Sequence, residues 1–167
     1  TLVFCFMDEK KEKSKIFYCE TYTSVICKIL FEKEIKGVCM RTLIILPYFG
    51  KFNNYFELWL NSCANNIEFE WLIITDEVVT FRLPQNVKIE YSTLEELKEK
   101  FQKKMDVNLK LEFAYKLCDY KQFYGYLFEE YLTDYDYWGY CDNDLIFGNI
   151  RKFLTKDIQT RNDKIFR

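Results

Sequence analysis

From residue 42 onward, unbroken apolar runs alternate with spaced ones, and the alternation predicts strands separated by helices. Thr42–Pro47 reads Thr-Leu-Ile-Ile-Leu-Pro, the pattern of a strand covered on both faces of a parallel sheet. Tyr48-Phe49-Gly50-Lys51 then turns the chain. Asn53 or Asn54 can cap a helix whose apolar face is Phe52, Phe56, Trp59 and Cys63, closed by Asn65 and Asn66. Phe69–Thr75 is a second unbroken run, and Asp76 stands just past its carboxyl end.

Pro84 interrupts the pattern, Val87–Tyr91 predicts a third strand, and Ser92 or Thr93 can cap a charged helix over 94–104. Residues 110–117 and 122–132 carry helix-like spacing, split around Asp119-Tyr120-Lys121. Residues 137–141, Tyr-Trp-Gly-Tyr-Cys, predict another strand, in which Gly139 suggests a close backbone approach. That strand runs straight into Asp142-Asn143-Asp144. A last helix is expected over 148–154, packing Ile150, Phe153 and Leu154. The order of elements, β-α-β-β-α and then helices before a strand, predicts an α/β fold.

The first 39 residues have a different texture, with a charged run from Asp8 to Lys15 and four of the cysteines. Met40 is followed almost at once by the first clean strand, so 1–39 is expected to be an atypical extension outside the core and 40–167 the folded domain.

Composition narrows the chemistry. The 167 residues are about half apolar, with 19% aromatic side chains and few Gly or Pro, which suits one globular domain. The formal charge of -2, with acids and bases interspersed, offers no basic face for a phosphate backbone, so nucleic acid is not an expected partner. No His is present, which removes Ser-His-Asp and Cys-His catalysis and imidazole metal sites. The seven Cys, at 5, 19, 27, 39, 63, 118 and 141, show no C-x-x-C spacing and no secretory signal accompanies them. They read as reduced thiols of a cytoplasmic protein, and packing is favoured over a nucleophilic role for Cys118 or Cys141. No apolar stretch approaches the roughly 20 residues that cross a bilayer, which leaves only peripheral association with a membrane.

Two carboxylates one residue apart at a strand end, Asp142 and Asp144, can present oxygens to one hard divalent cation such as Mg²⁺ or Mn²⁺. A cation there can bridge a diphosphate and stabilise the charge that builds on it as a leaving group. Spacing alone does not separate such a site from a turn, because Asp and Asn are also favoured turn residues. Asp134-Tyr135-Asp136 repeats the spacing but precedes its strand, whereas ligands of open α/β sheets bind beyond carboxyl ends. A calcium loop starting at Asp134 would have Leu145 where its bidentate Glu belongs.

The segments 44–51, 71–76, 119–121 and 138–148 together resemble a family of small bacterial glycosyltransferase-like proteins found with genes for capsular and surface polysaccharide synthesis. The likeness spans 40–156, and the segment containing Asp142-Asn143-Asp144 is its most specific part. The resemblance implies a Rossmann-like GT-A fold for nucleoside-diphosphate sugars, with Mn²⁺ or Mg²⁺ held by a D-x-D pair. Carried over to this chain, Asp144 is the expected metal ligand and Asp142 the partner to metal or ribose. Asp76 is a candidate for the nucleotide base or ribose, and Lys121 for countering the diphosphate charge. Pro commonly follows that Lys in the family, whereas Gln122 does here.

The expected activity is transfer of a sugar from a nucleoside-diphosphate donor to a surface glycan acceptor. A GT-A domain commonly uses more chain than 40–167, so the domain is expected to be incomplete at its carboxyl end. The competing reading is a non-catalytic α/β interaction domain whose Asp pair is only a turn. A phosphotransferase is disfavoured because no glycine-rich phosphate loop is present.

Overall fold

The computed structural model describes residues 3–6, 40–161 and 164–166. Its strands are β1 (Val3–Phe6), β2 (Thr42–Pro47), β3 (Phe69–Thr75), β4 (Val87–Tyr91), β5 (Tyr137–Tyr140) and β6 (Lys164–Phe166). They form one sheet in the order β4-β3-β2-β5-β1-β6. The four strands from β4 to β5 are mutually parallel, and β1 is antiparallel to both β5 and β6. The expected α/β fold with a parallel sheet is therefore present. Of the expected extension 1–39, Val3–Phe6 pairs with β5 and the remainder lies outside the described residues.

Side-chain alternation along the central strands feeds two cores. Ile44, Leu46, Trp71 and Ile73 face one layer with α1 (Phe56–Ala64), Ile150 and Leu154. Leu43, Ile45, Leu72, Ile74 and Trp138 face the other, with α2 (Leu94–Met105) and α3 (Tyr124–Leu127). Covering on both faces is why these strands read as unbroken apolar runs.

Helix α2 starts as expected at Thr93, in a reciprocal capping box. The Thr93 hydroxyl accepts from the Glu96 amide at 3.2 Å, and the Glu96 carboxylate accepts from the Thr93 amide at 2.7 Å. Helix α1 begins later than its expected Asn caps, at Phe56, and has no side-chain cap at its first residue. Asn53 instead takes the Tyr55 amide on its side chain at 3.2 Å.

Three expectations are corrected. In the segment 110–117 only 114–117 are helical, as the start of a 3-10 helix that spans Ala114–Phe123 and runs unbroken through Asp119-Tyr120-Lys121. The second segment, 122–132, breaks into α3 and a 3-10 turn at Glu129–Tyr131. Residues 148–154 hold only a 3-10 turn, Ile150–Lys152, with Ile150 and Leu154 buried and Phe153 53% exposed. Among the described residues no helix is long and apolar enough to cross a membrane.

Candidate functional site

The chain builds β2, moves outward through β3 to β4, and returns to add β5 on the other side of β2. Strand order thus reverses between β2 and β5, and in open α/β sheets the crevice at such a reversal, outside the carboxyl ends, is where ligands bind. The parallel register pairs Ile45 with Tyr140. Continued by two residues, it sets Asp142 level with Pro47 at the end of β2. Asp142 and Asp144 therefore flank the reversal point, one half-buried and the other exposed, with Asn143-Asp144 in a turn.

Lys121 reaches this point from the 3-10 helix. Its ammonium donates a hydrogen bond to Asp142 Oδ1 and lies 5.5 Å from the centre of the Tyr140 ring. Burial alone would raise the Asp142 carboxyl, but the Lys121 hydrogen bond and charge hold it below its ordinary value. The backbone carrying Lys121 is anchored on both sides. Leu117 is buried, its carbonyl accepts from the buried Tyr124 hydroxyl at 3.1 Å, and Gly125 lies against the Trp138 ring of β5.

Asp76 occupies the same end of the sheet, past β3, where its Oδ1 accepts from the Gly50 amide at 2.8 Å. It thereby holds the loop that leaves β2. Gly50 has φ 98°, which L side chains rarely adopt, so the turn requires glycine. Nothing joins Asp76 directly to the Lys121 and Asp142 pair among the contacts described.

The competing pair is engaged elsewhere. Asp136 Oδ2 accepts from the Arg41 amide at 2.8 Å, while Asp136 and Tyr137 amides donate to the Arg41 carbonyl, closing the entry of β5 onto that of β2. This is the amino end of the sheet, away from the reversal point.

Asn143 Nδ2 is buried and has no hydrogen-bond partner among the described residues, a feature that its place between two Asp did not signal. The role of Tyr140 beside the Lys121 ammonium was likewise missed, since an aromatic side chain at a strand end reads as core. Cys141 and Cys63 are buried, and burial pushes both thiols far above their ordinary value, which disfavours a thiolate nucleophile. Cys118 is exposed rather than packed.

The donor set at the reversal point suits a hard cation, with carboxylate oxygens from Asp142 and Asp144. No group of three His, Cys, Asp or Glu gathers there or elsewhere among the described residues. A cation would accordingly complete its shell from water and phosphate oxygens, as Mg²⁺ commonly does. A separate cleft of about 300 Å³ opens past β3 and β4 between Ile74, Tyr91, Ser92, Glu96 and Tyr131, and neither Asp lines it.

No curated protein and no solved structure matches the chain. A family model matches residues 44–167, the greater part of its length, and the chain belongs to that family, a family of unknown function designated DUF6625.

Proposed function

We propose that this domain is a GT-A-like glycosyltransferase that transfers a sugar from a nucleoside-diphosphate donor to a surface glycan acceptor, using Mn²⁺ or Mg²⁺. The observation that carries the reading is the hydrogen bond from Lys121 to Asp142 at the β2/β5 reversal point, two residues before the exposed Asp144, with acid and base brought from separate elements. A bound divalent cation would neutralise charge on the departing diphosphate. Asp142 and Asp144 would hold it. Lys121 would donate to a diphosphate oxygen, and the unpaired Asn143 Nδ2 is the kind of donor that a phosphate or hydroxyl oxygen satisfies. Asp76 would keep the β2 loop in place through Gly50 and offer its other oxygen to the ribose or base.

The non-catalytic reading has one observation in its favour, that Asn143-Asp144 lie in a turn while Asp142 already has an ionic partner. Calorimetry with UDP and Mn²⁺ separates the two readings. Binding that is lost on chelation and in Asp144→Ala supports the transferase site. Binding indifferent to both overturns the metal bridge, and no binding of UDP at all favours the interaction domain.

A further inference from the structure

We propose that the edge strand β4 pairs antiparallel with β4 of a second copy of this chain, the two related by a twofold axis at Ile89. The pairing lies apart from Asp142 and Asp144 and does not rest on the proposed transferase activity.

Strand β4 stands at one end of the sheet, with β3 as its strand neighbour. The Trp71 amide donates to the Asn86 carbonyl at 2.8 Å, and the Ser92 amide donates to the Thr75 carbonyl at 3.0 Å. Peptide groups alternate in direction along a strand. The parallel register therefore turns those of Lys88 and Glu90 towards β3 and those of Val87, Ile89 and Tyr91 outwards. The Val87 amide is taken by the Pro84 carbonyl at 3.1 Å. The Ile89 amide and carbonyl, the Val87 carbonyl and the Tyr91 amide have no partner among the described residues. Such a row of open groups is a template for a further strand.

Charged side chains ordinarily guard an edge, but those of β4 complement themselves in one register. The outward groups allow an antiparallel twofold at Val87, Ile89 or Tyr91. At Ile89, each Ile89 exchanges amide and carbonyl with its counterpart, each Tyr91 amide meets the partner's Val87 carbonyl, and Lys88 stands opposite the partner's Glu90 on both sides of the axis. The other two centres set Lys88 opposite Asn86 or Glu90 opposite Ser92, and neither makes a charge pair. Lys88 and Glu90 are exposed. Glu90 has no ion pair among the described residues. The Lys88 ammonium spends donors on Glu70 at 2.9 Å and the Tyr135 hydroxyl at 3.4 Å, which leaves its remaining one for a carboxylate across the axis. On the opposite face of the strand, Tyr91 is 56% exposed and would lie against the partner's Val87. Glu90 also lines the cleft past β3 and β4, so the pairing brings the partner's Lys88 to the mouth of that cleft.

A strand of five residues covers less than a standard interface, so the dimer should be weak. Sedimentation velocity of the whole chain from about 1 to 200 μM, a range suited to a small interface, should show monomer passing into dimer. Glu90→Lys sets like charges opposite each other and should weaken the dimer about tenfold or more. Ile89→Pro removes the central outward amide, a loss that an edge strand tolerates, and should abolish the dimer while far-ultraviolet circular dichroism stays that of the wild type. Glu112→Lys makes the same charge change at an exposed position outside the strand and should leave the dimer as it was. If Ile89→Pro unfolds the chain, Glu90→Lys decides alone. A wild type that stays monomeric throughout, a dimer indifferent to Glu90→Lys, or one weakened equally by Glu112→Lys overturns the inference.

Discussion

A Cβ added to Gly125 would lie 2.5 Å from Cε2 of Trp138 and 2.7 Å from its Nε1. Trp138 is buried in the core between β5 and α3, so the ring has little room to retreat. The absence of a side chain at 125 lets α3 sit directly on β5, and Lys121 is four residues upstream on the same connected segment. Gly125→Ala should therefore cost stability by overpacking, about 1–3 kcal/mol, with up to about 1 kcal/mol returned by the better helix propensity of Ala. Urea denaturation checks the first effect. Loss of UDP affinity under conditions where the variant remains folded would show that the same contact positions Lys121.

The amino end of the sheet carries an acid-dependent brace. Glu70 accepts from Arg41 and Lys88 at 2.9 Å each and from the Tyr135 hydroxyl at 2.8 Å. Burial alone would raise its pKa, but hydrogen bonds from Lys88, Arg41 and Tyr135 outweigh it and lower the carboxyl from 4.5 to about 2. A depressed carboxylate stabilises the fold above its unfolded value, and that stability is lost as pH falls through the folded value. Glu70→Gln should cost about 1 kcal/mol near neutrality, less than the full shift implies because Arg41 and Lys88 are about half exposed and screened. The gap between wild type and variant should close between pH 4.5 and 2, as followed by denaturation at successive pH values.

The loop leaving β2 depends on Gly50 and Asp76 in different ways. A methyl on Gly50 meets nothing within 4 Å, so the cost of Gly50→Ala is conformational, about 1–2 kcal/mol for a side chain forced to φ 98°. Asp76→Ala removes the acceptor of the Gly50 amide and should cost about 1 kcal/mol, whereas Asp76→Asn keeps an acceptor oxygen and should cost less. Thermal melts of the three variants check the order. Near-equal melts for Asp76→Ala and wild type would show that the loop stands without this bond.

How much of this was legible in the chain depended on whether the signal was local. The strands at 42–47 and 69–75 match their apolar runs because burial on both faces leaves Thr42 as the polar residue of β2 and only Glu70 and Thr75 in β3, whereas 87–91 shows itself by alternation, with Lys88 and Glu90 exposed between Val87 and Ile89. The Thr93 cap is equally local, with Glu96 three residues on. The 3-10 helix was not legible. Its apolar positions mimic those of an α-helix, and its bounds are set by where Leu117 and Tyr124 find the sheet. At 148–154 the spacing of Ile150 and Leu154 suggested a helix, although two buried side chains suffice to seat a single turn. The position of Asp142 and Asp144 at a strand end could be read directly. The Lys121 contact could not, since it joins residues 21 apart through packing of two other elements.

The two Asp pairs, identical in spacing, should respond to mutation in opposite ways. Asp136 closes the start of β5 onto β2 through the Arg41 amide, and that bond is one of several there. Asp136→Ala should lower stability by about 1 kcal/mol, the usual scale for an exposed charged acceptor, and leave UDP and Mn²⁺ binding intact. Asp144 is exposed and holds no described bond that the fold needs, so Asp144→Ala should shift stability by no more than about 0.5 kcal/mol. If the site works as proposed, that variant nonetheless loses Mn²⁺-dependent binding of UDP. The contrast matters because a general weakening of the domain would reduce both stability and binding in either variant. Calorimetric titration and urea denaturation of the two variants, measured in the same buffer, give the four values required. Binding that falls with Asp136→Ala but survives Asp144→Ala would move the ligand site to the amino end of the sheet and leave Asp142-Asn143-Asp144 as a turn.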